Sequence, residues 1–173
     1  MKVLFVNCGP EKLGIGMLSA VARRAGHQVA LAHNPMLFGD QDFIGAPLLR
    51  RLFQGEETFI QTMAARRPDV VAFSPITLSF PWMAATASRL KELVPQAKVI
   101  FGGPHVSALP EKVIALPFVD AICIGEGEIA FPAYLDLLAE KRPQGPIDNL
   151  WIKTPAGSIL RGRQAPFIQD LDS

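Results

Sequence analysis

The sequence predicts an α/β fold: a doubly wound, five-stranded parallel sheet with a C-terminal β-hairpin appendage. Three observations carry that prediction. Short continuous apolar runs recur, such as Val3-Leu4-Phe5-Val6 and Val99-Ile100-Phe101, as expected of strands buried on both faces. Between them lie segments whose apolar residues recur at helical spacing. Two of the runs stop at glycine-rich corners, Gly102-Gly103-Pro104-His105 and Gly125-Glu126-Gly127-Glu128. Ligands of open α/β sheets bind at the carboxyl ends of the strands, so these corners mark the candidate site.

Taken in order, residues 2–6 form the first strand, and Asn7-Cys8-Gly9-Pro10-Glu11-Lys12 is the loop that leaves it. A helix follows over about 14–25, with Leu18, Val21, Ala22 and Ala25 on one face and Gly26 as its C-terminal cap. Residues 28–31 make a short second strand. Residues 34–55 are irregular, punctuated by Pro35, Gly39, Gly45 and Pro47, and loops of that length are often functional. Residues 56–66 read as a helix with Phe59, Ile60 and Met63 inward, stopped by Pro68. Val70–Phe73 is strand three and leads into Ser74-Pro75-Ile76-Thr77-Leu78-Ser79. The helix over 81–94 turns Met83, Ala87, Leu90 and Val94 inward, with Leu93 also read as core. Lys98–Phe101 is strand four, a helical turn spans about 110–116, and 121–124 is strand five. The last helix, 128–139, places Phe131, Tyr134, Leu135 and Leu138 at i, i+3, i+4, i+7 and tolerates Pro132 in its first turn. This alternation implies the flavodoxin-like order 2-1-3-4-5, with the switch point between strands one and three.

Arg142-Pro143-Gln144-Gly145-Pro146 reads as a linker. Beyond it, Leu150–Lys153 and residues 158–160 flank Thr154-Pro155-Ala156-Gly157, with proline second and glycine fourth in the turn. A hairpin outside the sheet is expected there. Residues 1–141 thus form one domain, and 142–173 a linker, a hairpin and the start of a connection to a further domain.

Composition narrows the function classes. The 173 residues carry 17 Lys+Arg against 16 Asp+Glu, and no basic stripe or aromatic platform argues for nucleic acid. No apolar run approaches the ~20 residues of a membrane span, and no long apolar segment of the signal-peptide kind opens the chain. The two cysteines, Cys8 and Cys123, make neither a disulfide framework nor a metal cluster. They read as reduced thiols of a cytoplasmic protein.

The residues at the strand ends exclude several occupants of this fold. A phosphate-accepting receiver needs acidic residues where Asn7 and Ser74 stand, and a lysine at the end of strand five. A flavin mononucleotide site needs a Ser/Thr-rich loop in place of Cys8-Gly9-Pro10-Glu11-Lys12. Gly14-Ile15-Gly16-Met17-Leu18-Ser19 has two glycines of the dinucleotide fingerprint, lacks the third, and starts too far from strand one.

The remaining pattern is Gly9-x-Glu11-x-x-Gly14 after strand one, Ser74-x-Ile76-Thr77-Leu78 after strand three, and the two glycine corners after strands four and five. It closely resembles the N-terminal cobalamin-binding domain of the cobalamin-dependent radical S-adenosylmethionine enzymes. The resemblance spans residues 2 to about 139. Its most specific part is the pair of glycine corners at this spacing; the strand-one loop is its weakest.

The resemblance implies a corrin ring over the carboxyl edge of a Rossmann-like sheet, with Asn7, Cys8, Gly9, Glu11, Leu13 and Gly14 facing its lower side. The nucleotide tail would run beside strand four past Gly102, Gly103, Pro104 and His105. Ser74, Ile76, Thr77 and Leu78 would line the tail or ring edge. Gly125 and Gly127 would permit close approach, and Glu126 and Glu128 would accept hydrogen bonds from cofactor amides. Other cobalamin domains of this fold carry Asp-x-His-x-x-Gly after strand one, its histidine binding cobalt from below. Aligned on Gly14, this chain has Gly9 and Glu11 at those places; aligned on Gly16, it has Glu11 and Leu13. The implied cofactor is therefore His-off cobalamin, and no protein residue is assigned to a metal.

Each residue also has a plainer reading. Gly-Gly-Pro can be a tight turn, and Glu126 and Glu128 can complement the positive end of the last helix. His105 reads as a surface loop histidine, His27 and His33 as solvated, and Cys8 as a buried inert thiol.

Three functions follow. The first is a cobalamin-binding module, its partner a radical S-adenosylmethionine catalytic domain in the same chain beyond Ser173. That domain would carry a 4Fe-4S cluster on Cys-x-x-x-Cys-x-x-Cys together with S-adenosylmethionine, for methyl transfer, cyclisation or rearrangement of an unactivated substrate. The second is a cofactor-free interaction or scaffold domain. The third is a stand-alone enzyme, disfavoured because no nucleophile–base or carboxylate pair converges on the strand ends.

Overall fold

The computed structural model describes residues 1–9, 13–35, 55–140 and 145–166. In order these form β1 (Lys2–Cys8), α1 (Leu13–Arg24), β2 (Gln28–Asn34), α2 (Glu56–Ala65), β3 (Val70–Phe73), α3 (Phe80–Leu93) and β4 (Lys98–Phe101). Two short helices follow, α4 (Pro104–Ala108) and α5 (Pro110–Ile114), then β5 (Ala121–Cys123), α6 (Ala130–Ala139), β6 (Leu150–Lys153) and β7 (Ile159–Arg161).

The strand order is β2-β1-β3-β4-β5-β6-β7. β1 pairs in parallel with both β2 and β3, so the chain reverses its winding between β1 and β3, at the expected switch point. β3–β4 and β4–β5 are also parallel. β3 is buried along its whole length, and β1 and β4 are buried past their first residues, Lys2 and Lys98. Alternate residues feed two cores. Leu4, Val6, Val71, Phe73, Val99 and Phe101 pack under α2 and α3. Val3, Phe5, Ala72, Ile100 and Ala121 pack under α1 and α6.

The hairpin is present but does not stand outside the sheet. β6 pairs antiparallel with β5, and β7 with β6, which extends the sheet to seven strands. The physical reason is the open edge of β5, whose N–H and C=O groups need partners. β6 has the alternation to supply them: Leu150 and Ile152 are buried while Trp151 and Lys153 are half-buried. Its turn closes as expected, with the Gly157 N–H donating to Thr154 O at 2.9 Å and Gly157 at φ 83°.

Several local expectations shift. β1 and β2 run further, to Cys8 and Asn34, so Asn7 and Cys8 are strand residues. α1 ends at a glycine cap, with Gly26 at φ 85° and the His27 N–H donating to Ala22 O at 3.1 Å. Its buried face is Ile15 and Ala22 with Leu18 partly covered, whereas Ala25 is exposed beside the cap. Leu93 lies at the exposed end of α3, at 36% exposure. His27 is buried, not solvated: its Nδ1 lies 3.3 Å from the Met1 amine and its Nε2 3.2 Å from Asp136 Oδ1 on α6. The linker residues 142–144 and most of the irregular 34–55 stretch lie outside the described residues. Among the described residues, no helix is long and apolar enough to cross a membrane.

Candidate functional site

The carboxyl ends of β3, β4 and β5 meet α1 and α6 at a cleft. Ser74, Gly102, Gly103, Gly125 and Gly127 form its polar and glycine walls; Phe5, Leu18, Ala72, Ile100, Cys123 and Phe131 form its apolar floor and side. Its enclosed volume is about 50 Å³, room for a few waters. Among the described residues, no cationic side chain lines it.

The glycines have different reasons to be there. Gly103 adopts φ 84°, and a Cβ on it would lie 2.6 Å from Ser74 Oγ. Both backbone and space therefore require glycine. A Cβ on Gly102 would meet Cys123, its Cβ at 3.5 Å and its carbonyl oxygen at 3.9 Å, both ordinary contacts. One on Gly127 would press on the flexible tip of Leu18 at 3.2 Å. Gly125, at φ 79°, has open space around it, and its N–H donates to Ser107 Oγ at 3.0 Å, tying the β5 exit to α4.

The β3 exit is a tight turn. The Ser79 hydroxyl accepts from the Ile76 N–H at 3.1 Å and is 3.2 Å from Ile76 O. This turns Ile76 and Leu78 outward. With Leu13 and Ile129, at 83% and 75% exposure, they are apolar side chains standing free near the carboxyl edge. Single exposed apolar residues mean little; several beside one cleft point to a covered surface.

His105 is not a surface loop residue. It is the second residue of α4, after Pro104, is 7% exposed, and stacks on Phe80 with ring centroids 4.1 Å apart. Its Nδ1 lies 3.2 Å from Thr77 Oγ1. Pro104 starts an additional short helix ahead of the expected one, which is present as α5 at Pro110–Ile114, and so carries the ring inward. Thr77 and His105 thus come together, beside rather than in the cleft.

The strand-one residues separate. Cys8 is buried in the core under α2 and α3, away from the cleft. Asn7 is buried, its Nδ2 3.4 Å from His33 Nδ1 on the neighbouring strand, while the rest of His33 is exposed. Gly9, at φ 69°, donates its N–H to Asn34 O at 3.0 Å. Leu13 and Gly14 are exposed on the first turn of α1. Glu11 lies outside the described residues.

Glu126 and Glu128 precede α6, which starts at Ala130 rather than at 128. One carboxylate oxygen of Glu128 is buried without a hydrogen-bond partner among the described residues. Nearby, the Cys123 thiol is 3.7 Å from Glu126 O. Burial pushes its pKa up to about 12, and the Glu128 carboxylate adds to the rise, so the thiol is protonated at neutral pH. No group of three His, Cys, Asp or Glu residues able to hold a metal occurs among the described residues.

Comparison with known proteins now bears directly on this edge. The family model described as the B12 binding domain matches residues 10–135. The chain belongs to the B12-binding domain family. The segment matched in this B12-binding domain contains both glycine corners and stops before the hairpin. One relative is the cobalamin-dependent radical SAM methyltransferase TokK of Streptomyces tokunonensis, 35% identical over 99 residues, which are 57% of this chain and 14% of that protein. Another is the hopanoid C-3 methylase of Methylococcus capsulatus, 26% identical over 201 residues, covering 99% of this chain and 36% of that protein. The chain therefore spans a minor part of these relatives. In fold it is similar to the radical S-adenosylmethionine methyltransferase TsrM of Kitasatospora setae, solved with cobalamin and a [4Fe-4S] cluster bound. The TM-score is 0.72 at 17% identity, over 99% of this chain and 30% of that one.

Sequence reasoning missed the apolar half of the cleft. Phe5, Leu18, Ala72, Ile100 and Phe131 read as core from their periodicity, and nothing local separates a core side chain from one whose far end borders a cleft. Cys123, two residues before the second glycine corner, carried a positional signal. Asn149 carried none.

Proposed function

We propose that this B12-binding domain holds cobalamin at the carboxyl edge of its sheet, as the cofactor module of a longer radical S-adenosylmethionine enzyme. The observation that carries the reading is the glycine-walled apolar cleft at the ends of β3, β4 and β5, in a segment the family model covers. The donor set suits a ligand with an apolar planar end. Gly102, Gly103, Gly125 and Gly127 would flank the tail of the cofactor, Leu18 and Phe131 would border its base, and Ser74 would supply a polar contact at the entrance. Ile76, Leu78, Leu13 and Ile129, all exposed, would meet methyl groups at the ring's edge. The unpartnered oxygen of Glu128 accepts from a cofactor amide, since an unsatisfied buried acceptor costs about 1–3 kcal/mol until it is paired.

Bound cobalamin supplies a cobalt centre that carries a methyl group or an electron. The companion catalytic domain would lie beyond Ser173, with the three-cysteine motif, a 4Fe-4S cluster and S-adenosylmethionine. Methyl transfer is the reaction named for the two relatives above, and it is the class favoured here.

The test is a titration of the purified chain with hydroxocobalamin, followed by absorbance and by co-elution on gel filtration. Saturable binding near one equivalent is expected. A folded chain, by circular dichroism, that retains no cobalamin would leave the scaffold reading in its place.

A further inference from the structure

Asn149 joins three parts of the chain. It lies just before β6 in the left-handed conformation, φ 64°, which asparagine tolerates better than most residues. Its backbone N–H donates to Arg163 O at 2.8 Å, and its backbone carbonyl accepts from the Ile124 N–H at 2.8 Å. Its side-chain Nδ2 donates to Glu126 O at 2.9 Å. Its Oδ1 accepts from the Ala165 N–H at 2.8 Å. All its polar groups are engaged: one pair on the end of β5 and the Gly125–Glu128 corner, the other on the segment leaving β7.

The Glu126 carbonyl is the point of leverage. It sits between Gly125 and Gly127, both of which border the cleft, and it also lies 3.7 Å from the Cys123 thiol at the cleft floor. Gly125 has open space around it, and glycine peptides rotate freely unless something holds them. The Asn149 amide is a fixed donor on that peptide, presented by the hairpin that seals the sheet edge.

We infer that Asn149 is a positioning residue: by holding the Glu126 carbonyl it shapes the Gly125–Gly127 wall and so sets the affinity for a corrinoid that carries a nucleotide tail, over one that lacks it. This rests on the cobalamin reading for the identity of the ligand, but not for the position of the wall.

The experiment uses the full chain in three forms. Asn149→Asp keeps the acceptor for Ala165 and the tolerance for positive φ, but turns an oxygen toward the Glu126 carbonyl. Asn149→Gly keeps the backbone and its two hydrogen bonds and drops both side-chain ones. Equilibrium binding is measured for cobalamin and for cobinamide, which lacks the tail, with thermal unfolding in parallel. Asn149→Asp is expected to weaken cobalamin tenfold or more, leave cobinamide within about twofold, and leave the melting temperature near that of the parent; Asn149→Gly should show the same selectivity. Equal loss for both corrinoids, or no loss for cobalamin, would overturn the assignment.

A second readout needs no ligand. In a Cys8→Ala background, the rate of Cys123 alkylation by iodoacetamide reports how firmly the wall is closed. A several-fold faster rate in Asn149→Asp is expected, and an unchanged rate would overturn the positioning role. If the parent chain binds neither corrinoid while alkylation still accelerates, the cobalamin reading fails and the positioning of the wall stands.

Discussion

Gly102 and Gly103 are adjacent and look equivalent in sequence, yet substitution should separate them. At Gly103 any side chain meets a positive φ and Ser74 Oγ at 2.6 Å. Gly103→Ala should therefore lower stability by at least about 1–2 kcal/mol, the usual cost of left-handed backbone for a non-glycine residue, read as a lower urea midpoint. Gly102→Val has no such strain and extends into the cleft. It should leave the urea midpoint nearly unchanged and weaken cobalamin tenfold or more, about 1.4 kcal/mol. Cobalamin affinity equal to the parent's would remove Gly102 from the site. Cys123 makes a second residue-scale prediction. Its pKa is raised from 9.0 to about 12 in the folded chain, so the folded state keeps a proton that the unfolded state releases. That contribution is fully present below about pH 9 and is lost as pH rises from 9 toward 12, by up to about 1.4 kcal/mol per unit. Burial raises the Tyr134 hydroxyl in the same direction. Urea unfolding from pH 8 to 11 should show this loss, and Cys123→Ala should flatten its lower half. An equal slope in the variant would mean that Cys123 ionises freely.

At the scale of the element, the hairpin is the part whose role changes most. As an appendage it would be dispensable; as strands six and seven it completes the sheet. Leu150 and Ile152 are buried in the same core as Phe131 and Tyr134. Ile152→Ala should cost about 2–5 kcal/mol, as large-to-small changes in packed cores do. A chain ending at residue 146 would expose the edge of β5 and should associate, since unpaired edges recruit strands. Size-exclusion chromatography and denaturant unfolding decide between the two roles. A monomeric truncation of parental stability would restore the hairpin to an appendage.

For the whole molecule, the arrangement of histidines bears on the ligation that the proposed cobalt would have. His27 is held between Met1 and Asp136, and its neighbours place it near the amino ends of the strands. His105 is buried against Phe80 and Thr77. His33 lies across from Asn7 at the end of β2, its Nδ1 3.4 Å from that amide. No imidazole stands at Leu13 or at Glu11, and a carboxylate is a hard oxygen donor that does not replace one. On the cobalamin reading, bound cob(II)alamin should show no nitrogen superhyperfine splitting in electron paramagnetic resonance, because that reading would put the cofactor's own base in the cleft and no histidine among the described residues is placed to replace it. Splitting from an axial nitrogen would refute this, and its loss in His105→Ala or His33→Ala would name the ligand.

The sequence by itself determined the order of the first five strands, the switch point and the two glycine corners. Those depend on local chemistry: continuous apolar runs make buried parallel strands, and only glycine accepts the dihedral seen at Gly103. It was also enough for the family resemblance, because the corners stand at a recognisable spacing. Tertiary structure decided what depends on distant partners. His105 is buried because Pro104 starts a helix against Phe80. His27 is paired because α6 brings Asp136 to it. Cys8 faces the opposite core because β1 runs on past Val6, and alternation then fixes which face each side chain takes. The hairpin joins the sheet because β5 leaves its edge unpaired. Asn149 shows the limit most plainly: 23 residues separate it from Glu126, and a hydrogen bond over that span has no signature in composition, periodicity or spacing.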